Sequence, residues 1–326
     1  MMTEPIKPIF IFSLPRSGST LLQRLLAAHP QVDTAGETWL LLPQLYPISQ
    51  SGVFSEYRCQ LMQRAITQFN EAIAEGEIQY KRELNRFIAN LYSHHCSAQA
   101  THFLDKTPGY SLITKKIMEV FPDAYFIFLW RNPLSVIASI ARAFHRGRWT
   151  LAPHKPQLMR GLPNMVDTAK RNQDRIVSVC YENLLESPEQ ELRRIFDYVG
   201  VSYDPSVLEK FADVRLSVPG DPTSQKQYDR IMRYPAQKWK DHLKSPIRKH
   251  WCRKYLDFVG ESRLEEMGYN KKKLCSELNQ VPAELAGVPF DLRGITHDFL
   301  YNYFEGPIFK RKLRWWLAGQ PVVGHA

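Results

Sequence analysis

Pro15-Arg16-Ser17-Gly18-Ser19-Thr20 sets one arginine and one glycine among hydroxyl residues, directly after the apolar run Ile9-Phe10-Ile11-Phe12. These residue types hold phosphate. Gly18 lets the backbone approach an anion closely, Arg16 adds a full charge, and Ser17, Ser19 and Thr20 offer hydroxyl donors. Leu21, Leu22, Leu25 and Leu26 then recur at helical spacing. The loop therefore sits between a strand and a helix N-terminus, where free N–H groups and the helix dipole favour negative charge. An ordinary strand-turn-helix with a serine N-cap is the alternative reading. A nucleoside-triphosphatase loop carries lysine just before the hydroxyl residue that holds magnesium, whereas here the basic residue precedes the glycine. The pattern suits a phosphate donor handled without a metal.

A second cationic site lies at Ala124-Tyr125-Phe126-Ile127-Phe128-Leu129-Trp130-Arg131-Asn132-Pro133. The run reads as a buried strand ending in Arg131, broken at Pro133 and restarting as a helix that carries Ser139. In an open parallel sheet the carboxyl ends of neighbouring strands converge on one crevice, which brings Arg131 within reach of whatever the first loop holds. A strand ending in Asp would hold magnesium for nucleotide hydrolysis. One ending in Arg neutralises a second phosphate and disfavours a P-loop kinase using ATP, which stays as the competing enzyme reading.

Taken together, these two motifs resemble the sulfotransferases that use 3′-phosphoadenosine 5′-phosphosulfate (PAPS). PRSGSTLL is similar to their 5′-phosphosulfate loop, and Arg131 with Ser139 to their 3′-phosphate motif, at the same arginine-to-serine spacing. The likeness extends through Gly36-Glu37-Thr38, Asp105-Lys106-Thr107-Pro108 and Val179-Cys180-Tyr181-Glu182-Asn183-Leu184, across most of residues 8–200. Its wording is nearest to tyrosylprotein sulfotransferases and bacterial sulfotransferases, including sulfotransferase domains of olefin-forming polyketide enzymes.

The resemblance implies sulfuryl transfer from PAPS to a hydroxyl or amine acceptor, leaving 3′,5′-adenosine bisphosphate, with no metal. Such transfer needs a base for the acceptor, cations on the departing oxygen and in-line positioning. Glu37 resembles the second glutamate of the corresponding tyrosylprotein sulfotransferase segment and takes the role of base. His29, His94, His95 and His102 are the rivals, because other sulfotransferases use histidine. Arg16 and Lys106 are the candidates for stabilising the leaving oxygen, although this chain has Lys-Thr-Pro where the family has Lys-Asp-Pro. Asp105 orients Lys106 or caps the following helix. For the donor, the resemblance assigns Arg16, Ser17, Gly18, Ser19, Thr20, Arg131, Ser139 and Tyr181, with Ser224 and Lys238 folding over the nucleotide from a later segment.

The elements that must position these groups alternate in the manner of a doubly wound α/β fold, a P-loop-like parallel sheet flanked by helices. His102–Asp105 and Ile176–Tyr181 read as strands, and 110–121, 163–175, 188–199, 205–212 and 246–259 as helices. Residues 51–100 read as a helical insertion capping the acceptor side. Residues 1–270 form the sulfotransferase domain on this reading, and 271–326 a C-terminal extension.

The 326 residues, 44% hydrophobic, suffice for a full core. A formal net charge of +10 favours a polyanionic donor, and no motif supports nucleic-acid binding. Five widely spaced cysteines signal neither a disulfide framework nor a zinc site. With no apolar leader and no bilayer-length stretch, a cytoplasmic protein is expected. The acceptor stays open among small molecules, lipids and peptides. The segment Phe299–Leu317 mixes aromatics with cations, and its readings are a helix packed back on the domain, a peripheral membrane contact or a homodimer contact. A non-catalytic nucleotide-binding or membrane-surface protein is the competing non-enzyme reading.

Overall fold

Strand residues alternate between two apolar layers, which is why their sequences are apolar without a break. In Lys7–Ser13 (β1), Ile9 and Ile11 face one side while Phe10 and Phe12 face the other. The computed structural model describes residues 5–49, 55, 57–145, 147–216, 231, 238–304 and 306–319. The further strands are Val32–Thr34 (β2), His102–Lys106 (β3), Tyr125–Trp130 (β4) and Ile176–Cys180 (β5). All pair in parallel, in the order β2-β3-β1-β4-β5.

On the aliphatic side, Ile9, Ile11, Ile127, Leu129, Val177 and Val179 meet the helices Ser19–Ala27 and Pro188–Val199 through Leu22, Leu25, Ile195 and Phe196. On the aromatic side, Phe10, Phe12 and Phe126 lie at ring-contact distance from one another, and Phe128 from Phe12. The helices Thr114–Val120, Pro133–His145 and Leu162–Arg171 cover that side, backed by Pro246–Val259. The doubly wound α/β architecture is therefore present. Gly200 closes the Pro188–Val199 helix at φ 73°, as its position in the sequence requires.

The departures are local. The helix expected over 110–121 is divided into a 3-10 turn at Pro108–Leu112 and a helix at Thr114–Val120. There the Thr114 hydroxyl donates to the Tyr110 and Ser111 carbonyls, interrupting the backbone ladder. The helix expected to 175 stops at Arg171, where the Asn172 side chain donates to the Thr168 carbonyl. Tyr181 opens a helix, Tyr181–Glu186, rather than ending β5. The 51–100 segment carries helices at Cys59–Glu71 and Gly76–His95.

Because the sheet is parallel, β1, β3, β4 and β5 all deliver their carboxyl ends to one edge, at Ser13, Lys106, Trp130 and Cys180. The chain leaves β1 toward β2 on one side and later crosses to β4 on the other, so β1 ends at a switch point where an open sheet presents a crevice.

Candidate active site

The loop after β1 turns on two left-handed residues, Arg16 at φ 66° and Gly18 at φ 91°. Gly18 is the N-cap of the Ser19–Ala27 helix, and no side chain caps it, which replaces the serine-cap reading. The Tyr181 ring packs against Gly18 so closely that a Cβ there would lie 2.1 Å from Tyr181 Cε2. Only glycine fits both the conformation and the space.

Arg131 reaches this loop from the end of β4. Its Nη1 donates to the Arg16 carbonyl at 2.7 Å, and its guanidinium carbon lies 4.4 Å from the centre of the Tyr181 ring. Its Nε is buried and has no hydrogen-bond partner among the described residues. Arg16 Nε lies 3.4 Å from Ser139 Oγ in the Pro133–His145 helix. Arg16, Gly18, Arg131, Ser139 and Tyr181 thus form one cluster. Ser17 and Ser19 are buried beside it and Thr20 is half-buried. A glycine cradle and a buried guanidinium nitrogen with an unused donor are features that fit an anionic nucleotide.

Glu182 holds the floor of this cluster in place. Its carboxylate accepts from the Asn132 backbone N–H at 3.2 Å and from the Tyr269 hydroxyl at 2.6 Å, joining the ends of β4 and β5 to the later chain. Burial, with Glu182 alongside, pushes the Cys180 thiol up to about 11.

A second cluster forms at the end of β3. Lys106 is 1% exposed, and its Nζ lies 2.9 Å from Glu37 Oε1. Two anchors hold the short segment that carries Glu37. Gln23, from the helix Ser19–Ala27, donates to Thr34 Oγ1 at 2.8 Å and to the Ala35 carbonyl at 2.7 Å. The Thr38 hydroxyl donates to Asp105 Oδ2 at 2.7 Å.

Asp105 neither orients Lys106 through a direct bond nor caps a helix. Its fully buried carboxyl accepts from the hydroxyls of Thr38, Tyr92 and Tyr110. Burial raises its pKa above the usual carboxylate range. A carboxyl raised on folding opposes the folded state once it ionises, so its contribution becomes less favourable as pH rises above its unfolded value of about 3.9. Asp105→Asn is expected to remove that slope: the variant's stability relative to the parent increases from pH 4 toward pH 7, checked by paired denaturant titrations.

His102 begins β3 and lies at the opposite edge of the sheet from Lys106, with burial lowering its pKa to about 4. His29 packs on Phe196 beyond the end of the Ser19–Ala27 helix, and His95 packs on Phe103. Lys238 is exposed at the start of the 3-10 turn Lys238–His242, which packs on the helix that carries Ser139. Ser224 lies outside the described residues. The hydroxyl set around Asp105 follows from no motif of the sequence. Its one trace in the sequence is an aspartate directly after the apolar pair Phe103-Leu104 of a short strand.

The profile of the Sulfotransferase family matches residues 8–205. Nodulation protein NoeE of Sinorhizobium fredii is 26% identical over 302 residues, 83% of this chain and 68% of that protein. The protein-tyrosine sulfotransferase of Drosophila melanogaster is 28% identical over 222 residues, 65% of this chain but only 42% of that protein. Among solved structures, the sulfotransferase domain of the Synechococcus PCC 7002 olefin synthase superposes with a TM-score of 0.50 at 29% identity, covering 74% of this chain and 90% of that one. The matched stretch contains the loop Pro15–Thr20, the Glu37–Lys106 pair, Arg131, Ser139 and Tyr181, and by this match the chain belongs to the sulfotransferase family.

Proposed function

We propose that this transferase takes its sulfuryl group from PAPS and passes it to an acceptor hydroxyl or amine by in-line displacement. The observation that carries the reading is the gathering of Arg16, Arg131, Ser139 and Tyr181 around Gly18, with a buried Arg131 Nε that has no hydrogen-bond partner among the described residues. Arg131 and Ser139 hold the 3′-phosphate. The loop Arg16–Thr20 holds the 5′-phosphosulfate, and Tyr181 and Lys238 contact the nucleotide.

The acceptor oxygen or nitrogen bonds to sulfur as the bond from sulfur to the bridging phosphate oxygen breaks. Glu37 removes the acceptor proton, while Arg16 and Lys106 stabilise the charge left on the phosphate oxygen. The buried Lys106–Glu37 ion pair gives this scheme an order of events. The Glu37 oxygen is engaged by the Lys106 ammonium, so Lys106 shifts to the donor's phosphosulfate on binding and leaves Glu37 open to the acceptor. Support for Glu37 over the rival histidines comes from position, since it pairs with a residue at the carboxyl edge and His102 lies at the other. Five free cysteines suit the cytoplasmic setting that belongs to this reading. The division into a domain at 1–270, capped by 51–100, and an extension at 271–326 belongs to the same proposal.

Calorimetric titration with 3′,5′-adenosine bisphosphate and, separately, magnesium-ATP tests the donor assignment. The bisphosphate is expected to bind tightly and ATP weakly, with Arg131→Ala weakening the bisphosphate roughly 30- to 1,000-fold, about 2–4 kcal/mol. Preference for magnesium-ATP would turn the assignment to a kinase, and no nucleotide binding would remove it.

A further inference from the structure

The helix Val288–Phe304 is amphipathic in the reverse sense for a surface helix. Its inward face is polar and small. Asp291, fully buried, pairs with Arg248 through Nε at 2.9 Å and Nη2 at 2.7 Å. Gly294 lies so close to Trp149 that a Cβ would stand 2.2 Å from the Trp149 carbonyl oxygen. Asp298 accepts from the backbone N–H groups of Leu151 at 2.8 Å and Ala152 at 3.0 Å.

The apolar face points outward. Leu292, Ile295, Phe299 and Tyr303 follow at helical spacing and are 53%, 41%, 54% and 73% exposed. The next helix, Gly306–Leu317, repeats the pattern: Phe309, Leu313, Trp316 and Leu317 form one stripe, 63%, 42%, 69% and 70% exposed. Lys310, Arg311 and Arg314 lie on the surface beside that stripe, and this helix contains no acidic residue.

We propose that this pair of helices docks the protein on an anionic lipid surface, lying in the interface with the apolar stripes among the acyl chains and the cations at the headgroups. Both halves of the pattern bear on the choice of partner. A second copy of the chain would cover the apolar stripes, but it would bring the basic flank against another molecule of net charge +10. An anionic bilayer answers the stripes and the flank together, and Trp and Tyr are the side chains favoured at that boundary. No helix among the described residues is long and apolar enough to cross a membrane, so the helices lie on the bilayer rather than span it. The inference does not rest on the identity of the sulfuryl donor.

Flotation of the full chain with phosphatidylcholine vesicles, with and without about one-third phosphatidylglycerol, tests it. Binding is expected only with phosphatidylglycerol and is expected to weaken as salt rises. Lys310→Glu/Arg311→Glu/Arg314→Glu should cut the partition coefficient roughly 100-fold or more, from about 1 kcal/mol per charge. Phe309→Ser/Leu313→Ser/Trp316→Ser should abolish binding, and both variants should keep the parent's melting temperature because the altered side chains are exposed. The proposal is overturned by absent flotation with the anionic vesicles, or by flotation that survives the apolar substitutions. It is equally overturned if light scattering finds a dimer that the apolar variant turns into a monomer.

Discussion

Glu37→Gln is expected to lower kcat for sulfuryl transfer by roughly 10²- to 10⁴-fold, the range for loss of a positioned general base. The amide keeps the size of the carboxylate and can still accept from Lys106, so binding of 3′,5′-adenosine bisphosphate is expected to stay within a few-fold of the parent. Single-turnover transfer and calorimetry on the same preparation separate the two effects. Transfer at the parent rate would remove Glu37 as the base. The rate should also respond to Thr38→Val, because the Thr38 hydroxyl bonded to Asp105 is one of the two anchors of the segment that carries Glu37. That loss should be smaller than for Glu37→Gln, since Gln23 holds the same segment from the other side.

The second large effect is expected at Gly18. Gly18→Ala forces a side chain into a backbone conformation at φ 91° and onto the Tyr181 ring. The conformation alone costs on the order of 1–3 kcal/mol. The ring is no freer to move, because Arg131 lies over it and also holds the Arg16 carbonyl. Bisphosphate binding should therefore fall by about 100-fold or more, with a lowered melting temperature. A double-mutant cycle with Tyr181→Ala divides the effect between contact and conformation. The pair should be less destabilised than the sum of the singles, the difference reporting the collision and the remainder the backbone. Strict additivity would mean that the two residues do not touch.

How much of this was legible in the sequence follows from the range of the interactions. The turn after β1, the strand that ends before Arg131 and the helix that carries Ser139 could be read because local rules govern them: a glycine where the backbone must turn left, an unbroken apolar run that stops at an arginine, a proline starting a helix. Strands β1 and β4 announced themselves because burial on both faces demands unbroken apolar runs. Strand β2 did not, since three residues after Pro30 are too few to display any period. The Glu37–Lys106 and Thr38–Asp105 contacts join residues about 70 positions apart, and Tyr92 comes from the separate helix Gly76–His95, so that of the groups around Asp105 Tyr110 alone is near it in the sequence. No spacing rule reaches that far. The outward stripes at the C-terminal end were visible as mixed aromatic and basic residues, but which face turned inward depended on Asp291, Gly294 and Asp298 finding partners on the domain.

The place of β1 at the centre of the sheet has a consequence for how the chain is made. Of the five strands of this sheet β1 leaves the ribosome first, yet its neighbours β3 and β4 begin roughly a hundred residues later. Until they emerge, Ile9, Phe10, Ile11 and Phe12 have neither a strand to bond with nor a core to enter, and they offer an unpaired apolar edge to other nascent chains. Slowing translation before residue 130 should therefore lengthen that exposure and lower the yield of folded protein. The same slowing after residue 180, with all five strands already made, should not.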